Sequence, residues 1–324
     1  MKRIAALGML LCIVLFSTVY AEELSCVNMT NYVPNTVPDL ICSTYSVDVD
    51  SAMNVLMKSP YLIEDTESYY MGTGWLNDEE ELAIGPDYLF YSTHQGRNLA
   101  NVVSVGIPGF LEWNYTDSSE LSFGDISQIE VTAQEILKKL NIQAELIHVQ
   151  AYSKPMLNVE METAIGNIET DQIEECYVLF FCCTENGIRV STDGYYSDLH
   201  SVGLDGSHIT MIWTKDGLQF MSAEGLFRIE AQLDNESSII LPASALSMVR
   251  DYYVLYDVDI SHQRLEYVRV PIQGVDLDKG YTLVPAWVFS QVRQYEITGD
   301  AGENEIVHVI TDFALIDART GEEL

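Results

Sequence analysis

Two rhythms of apolar residues alternate along the chain, and the element boundaries lie where one gives way to the other. Ile126, Ile129, Ala133, Ile136, Leu137 and Leu140 recur at three- and four-residue spacings, which predicts an amphipathic helix. Asp125 or Ser127 suits its N-cap, and Lys138 and Lys139 suit the negative end of its dipole. Ala144 to Tyr152 and Tyr177 to Cys183 read as strands, the second apolar on both faces and therefore buried. Asn186-Gly187 marks a hairpin turn into Ile188 to Val190, and Lys215-Asp-Gly217 joins Ile209 to Trp213 with Gly217 to Phe220.

The last third repeats that order of elements. Pro242 stands where a first helical turn tolerates a missing N–H. Ala245, Leu246, Val249, Tyr252, Tyr253 and Tyr256 then line one side of a helix. Three β-branched and aromatic stretches follow: LEYVRVPI from Leu265, YTLVPAWVF from Tyr281, and IVHVITDFALIDARTGEEL from Ile306. Tyr281, Leu283, Trp287 and Phe289 share one face while Val284 and Val288 take the other, so the centre of this sheet is covered on both sides. Pro271 and Pro285 cannot donate to a ladder, which places each at a strand end, a bulge or an edge. Asp317-Ala-Arg-Thr-Gly321 reads as a tight turn with Gly321 at positive φ.

The first hundred residues carry weaker signals. Asp48 to Lys58 reads as a short helix, and Pro86 to Tyr91 and Ala100 to Ile107 as strands. Asp78-Glu-Glu-Glu81 reads as an exposed loop or helix start. The expected fold class is α+β, in tandem helix-on-antiparallel-sheet units. The expected division is 1–21 signal peptide, 22–121 mixed α/β region, 122–235 first helix-plus-sheet unit and 236–324 second.

Met1-Lys-Arg3 followed by an apolar run to Val19, with Ala21 at the end, reads as a secretory signal peptide cleaved after Ala21. The run is short for a membrane span, and no second run is long enough. Glu23 stands where a lipobox wants an apolar residue, so lipid anchoring at Cys26 is the minor alternative. Removing Lys2 and Arg3 leaves 14 of the 16 basic residues against 49 acidic ones, a formal charge of −35. Such a chain repels nucleic acid and anionic membranes, whereas 48% apolar residues mark it as globular and not as an acidic disordered tail. Five cysteines remain. Cys26 and Cys42 flank a segment that a disulfide could close, while Cys176, Cys182 and Cys183 read as buried free thiols.

No nucleophile elbow, zinc-binding helix, phosphate loop or dinucleotide glycine pattern occurs in the chain. His94, His148, His200, His208, His262 and His308 are scattered, and Asp257 to Ser261 departs from a calcium loop at His262 and Val268. Glu160 with Glu162, and Glu174 with Glu175, are ordinary pairs in a chain this acidic. No catalytic, cofactor-binding or metal residue is assigned, and no cofactor is expected. The sequons at Asn28, Asn114 and Asn235 matter only in a eukaryotic secretory pathway.

The segments Leu241 to Tyr253, Leu265 to Val268, Tyr281 to Trp287 and Leu315 to Glu322 resemble the PepSY-type domain. They also resemble the extracytoplasmic YycH/YycI regulators of Gram-positive bacteria. The resemblance covers roughly a quarter of the chain and implies inhibitory, regulatory or chaperone-like roles without catalytic residues. The expectation is a secreted, non-catalytic protein that binds a protein or peptide partner at the cell envelope, with no nucleic acid, no transmembrane segment after cleavage and no oligomeric state fixed. The alternative is a secreted hydrolase whose site is assembled from residues distant in sequence.

Overall fold

The computed structural model describes residues 28–29, 33–65, 72–103, 121–154, 157, 173–192, 195–196, 203–204, 206–233, 237–253, 260–272, 274–275, 280–298 and 304–324. The segment expected to be a signal peptide, with Cys26, Asn114, Glu160, Glu162, His200, Asn235 and Asp257, lies outside them. The fold is α+β and dominated by a large, mostly antiparallel sheet. Four helices are described: α1 Val49–Leu56, α2 His94–Val102, α3 Ile126–Lys139 and α4 Pro242–Tyr252. In chain order the principal strands are β1 Leu40–Thr44, β2 Ile63–Asp65, β3 Thr73–Leu76, β4 Glu80–Ile84, β5 Leu89–Thr93, β6 Ala144–Tyr152 and β7 Cys176–Glu185. They continue with β8 Ile188–Val190, β9 His208–Thr214, β10 Gly217–Glu224, β11 Phe227–Gln232, β12 Ile260–Pro271, β13 Tyr281–Thr298 and β14 Asn304–Asp317.

The sheet is not divided by its helices into a clear tandem. Two compact units exist, and each is discontinuous in sequence: one takes Pro38–Glu236 with Tyr267–Val284, the other Met1–Val37 with Ser237–Glu266 and Pro285–Leu324. The reason is the length of β12 and β13, which at 12 and 18 residues each supply residues to both units. Pro285 marks the change along β13. Before it, Tyr281 to Leu283 pair with β1, and from Ala286 onward the partner is β14. A residue without an N–H suits the point at which one neighbour is exchanged for another.

In the larger unit β7 lies between β6 and β9, both antiparallel to it, and every residue from Cys176 to Thr184 is buried. Cys176, Val178 and Phe180 join Ile212, Phe220, Leu99, Val102 and Val103 in one apolar cluster, so α2 covers one face of β7, β9 and β10. Gly96 permits that approach: a Cβ there would lie 1.9 Å from the Gln219 carbonyl oxygen. The expected strand from Ala100 is therefore wrong over its described part. Thr93 caps α2 by accepting from the Gly96 N–H at 2.9 Å, and Leu99, Val102 and Val103 serve helical spacing as well as they serve a strand. Asn186 and Gly187, at φ 53° and 77°, form the expected primed turn between β7 and β8.

Of Asp78 to Glu81, the first two residues form the expected exposed loop and the last two are corrected. These open β4, and Glu80 is buried there, accepting from the backbone N–H groups of Lys58 and Ser59 and, at 2.8 Å, from the Tyr91 hydroxyl. The carboxylate ties the chain after α1 to the sheet. Cys42 is a buried free thiol on β1, and Cys26, its candidate disulfide partner, lies outside the described residues.

In the smaller unit Pro242 opens α4 as expected, and Ala245, Leu246 and Val249 are its buried face. Trp287 is 1% exposed and donates its indole N–H to the Ile240 carbonyl at 3.1 Å. After β14 the Asp317 carboxylate accepts the Arg319 and Thr320 N–H groups at 2.7 and 3.1 Å and pairs with the Arg319 guanidinium at 2.9 Å. Gly321 completes this turn at φ 76°. Burial works to raise the Asp317 pKa, but the Arg319 and Thr320 hydrogen bonds outweigh it and hold the carboxyl below its ordinary value.

Two predictions follow from this packing. Trp287→Ala should destabilise the protein by about 3–5 kcal/mol, read as a shifted denaturant midpoint, and an unchanged midpoint would refute the indole's place in the core. Because the Asp317 carboxyl is depressed, its stabilisation is present above the ordinary carboxylate pKa and is lost as pH falls through the lower folded value. Asp317→Asn should therefore cost about 1–3 kcal/mol near neutral pH, and melting curves of variant and parent should converge in acid.

Candidate functional site

The larger unit contains a cleft of about 510 Å³, within the size range of small-molecule and peptide pockets. Its wall begins with α3. The helix ends in a Schellman arrangement: the Ile142 N–H donates to the Leu137 carbonyl at 2.9 Å, the Asn141 N–H to Lys138 at 3.1 Å, and Asn141 takes the left-handed conformation at φ 56°. This sharp stop directs Gln134, Lys138, Asn141 and Gln143 to one side, where all four line the cleft. The Thr184 N–H donates to the Gln143 carbonyl at 3.1 Å and so joins the end of β7 to the segment entering β6.

Across the cleft stand Tyr45 and the start of β11. Tyr45 follows β1, donates its hydroxyl to the Leu140 carbonyl at 3.0 Å, and receives the Arg228 guanidinium over its ring at 5.4 Å. The ring is thereby fixed from both ends, one by the helix terminus and one by a cation. Arg228 is exposed, and its cross-strand partner Ser43 donates its hydroxyl at 2.6 Å to Glu230, two residues further along β11.

Cys183, Thr184 and Glu185 form the remaining wall. Burial alone pushes the half-buried Glu185 carboxyl above its ordinary pKa. The Cys183 thiol is pushed up to about 11, first by burial, and the Cys42 thiol by the same cause to about 12. At neutral pH a thiol of that kind is overwhelmingly protonated, which suits packing and not nucleophilic attack.

Among the described residues the side chains of Lys138, Arg228 and Glu185 form no ion pair with any protein group. Other described cations divide: Arg97 pairs with Glu81, Arg189 with Glu145, Lys215 with Glu174, Arg264 with Glu266, and Arg319 with Asp317, while Lys58, Lys139 and Lys154, like Lys138, form no ion pair among the described residues. Together with three side-chain amides and a held aromatic ring, the unpaired charges of the cleft can recognise a polar, charged ligand. Their arrangement offers hydrogen bonds and charge, with no base aligned on a nucleophile.

The groups singled out from the sequence serve structure. Glu174 is the partner of Lys215 at 2.8 Å, and Glu175 accepts from Ser122 at 2.8 Å. His208 lies 3.6 Å from Glu224, and His262 meets the Ser261 hydroxyl at 2.8 Å. His148 is buried beside Phe180, where desolvation lowers its pKa and disfavours the charged ring. Among the described residues no three His, Cys, Asp or Glu side chains gather as a metal site. Sequence reasoning placed Lys138 at the helix end and Cys183 in a buried strand, but it missed Tyr45, Gln143, Glu185 and Arg228 as one group. The only local signal was the helix stop at Asn141.

No protein-family model matches the chain, and no curated protein sequence does. Among solved structures, an uncharacterized protein from Eubacterium rectale is similar: 17% identical, TM-score 0.70, covering 92% of this chain and 89% of that one. At that identity the likeness shows a shared fold.

The helix stop that shapes the cleft is open to test. Asn141→Gly should fold as well as the parent, whereas Asn141→Val, with a β-branched side chain at φ 56°, should lose about 1–2 kcal/mol. Equal denaturant midpoints for the two variants would contradict the left-handed turn.

Proposed function

We propose that this is a secreted, extracytoplasmic protein that acts by binding a protein or peptide partner and not by catalysis, with a peptide segment of the partner seated in the cleft beside the end of α3. The observation that carries this reading is the convergence of unpaired Lys138, Arg228 and Glu185, a fixed Tyr45 ring and three amides on one cleft. Convergent polar groups in the walls of a pocket are the usual mark of a binding site. The elevated pKa of the Cys183 thiol in the cleft wall supports binding over covalent chemistry. The PepSY-type resemblance of the C-terminal third supports a regulatory or inhibitory role exercised through such contacts. No helix among the described residues is long and apolar enough to cross a membrane. The signal-like start of the sequence supports export.

Charge shapes the expected partner. An excess of 49 acidic over 16 basic residues favours a partner with a basic surface around the segment that enters the cleft. Capture from the organism's own envelope fraction on immobilised protein should therefore weaken as salt rises. At low salt, Lys138→Ala combined with Arg228→Ala should reduce capture by about tenfold. Capture indifferent to both salt and the double variant, or hydrolysis abolished by changing one Asp, Glu, His or Ser, would overturn the reading.

A further inference from the structure

The cleft holds charges of both signs, and what they leave unsatisfied defines a ligand. Lys138 approaches from the end of α3 and Arg228 from β11, while Glu185 ends β7. None has an ion-pair partner among the described residues, although the chain carries three acidic residues for each basic one. The Arg228 guanidinium carbon stands over the Tyr45 ring at 5.4 Å, and its N–H donors, with no carboxylate partner among the described residues, can meet a planar acceptor. Glu185 is half-buried, so its carboxylate has lost water without gaining a protein cation, and a ligand cation would supply the missing partner.

We infer that the cleft binds a peptide presenting a carboxylate and an ammonium group a few residues apart, the carboxylate on Arg228 and Lys138, the ammonium on Glu185. The inference rests on the binding reading given above and narrows it to a doubly charged ligand. The Tyr45 ring supplies a surface for the intervening peptide, and Gln134, Asn141 and Gln143 supply donors and acceptors to its backbone. A volume of about 510 Å³ accommodates a few residues and no folded element. The two charges come either from the free ends of a short peptide or from Lys and Glu side chains within a longer segment.

Affinity selection with mass-spectrometric readout on the full chain distinguishes these sources. The probes are tripeptides of uncharged residues with free ends, pentapeptides capped at both ends that carry one Lys and one Glu, and capped pentapeptides without charge. The parent should retain one or both charged sets at least about tenfold over the uncharged set. Glu185→Gln should abolish that preference, and so should Lys138→Gln with Arg228→Gln, in variants whose circular dichroism matches the parent. Retention of the free tripeptides alone assigns the charges to chain ends, and retention of the capped Lys/Glu set assigns them to side chains. Equal retention of the uncharged set, lost in the double variant, would overturn the inference while leaving the cleft a binding site. Retention of no set, with envelope capture also unaffected by the double variant, would remove both.

Discussion

Burying a strand on both faces is the constraint on which the larger unit depends. From Cys176 to Thr184 the β7 strand has no solvent to satisfy its backbone, so each N–H and C=O must find a neighbour in the sheet. The β6 and β9 strands, with β8 at the hairpin end, provide them in antiparallel register, Val178 facing Gln150 on one side and Ile212 on the other. Helix α2 then covers one face, and Gly96 sets how closely it does so. Each fully buried Val, Leu or Phe in that strand contributes roughly 1.5–3 kcal/mol of transfer free energy, which is what makes the arrangement worth its ordering entropy.

The cleft lies where that constraint relaxes. Glu185 is the first residue of β7 to regain solvent, immediately before the Asn186-Gly187 turn. On the same side of the unit α3 stops at its Schellman turn, because Asn141 tolerates a left-handed conformation and Ile142 returns to the apolar interior. Polar side chains are thus delivered to the cleft by the ends of elements whose middles are buried. Precision comes from the buried parts, and chemistry from the few residues beyond them.

Much of the local structure was legible in the sequence, since it rests on spacing within a single element. The helix Ile126–Lys139 with Asp125 as its cap, the strand Ala144–Tyr152, the Asn186-Gly187 turn and Pro242 at the start of α4 all have short-range causes. The failures have long-range causes. Ala100 to Val102 suits strand or helix by composition, and the Thr93 cap together with the apolar face over β7 decides it. Glu80 looks exposed until the N–H groups of Lys58 and Ser59 and the Tyr91 hydroxyl are brought to it. The partition into discontinuous units follows from β12 and β13 each serving two units, which no periodicity in either strand reports. The cleft was invisible for the same reason: Tyr45, Lys138, Glu185 and Arg228 come from four separate stretches of the chain and share no spacing.

What sets the cleft apart is that two cations and a carboxylate, none with an ion pair among the described residues, line the same walls. With 49 acidic side chains to 16 basic ones, carboxylates are plentiful for a cation in this chain, and Arg264 with Glu266 forms a pair even where both are buried. Lys138 stays apart because it follows the α3 helix to its carbonyl-rich end, where the dipole already favours a positive charge. Arg228 lies over the Tyr45 ring, and the nearest acid on its own strand, Glu230, accepts from Ser43. Each cation is held by something weaker than a carboxylate, so each can still respond to one. Glu185, with no cation partner among the described residues, has the complementary need, and the three line one cleft.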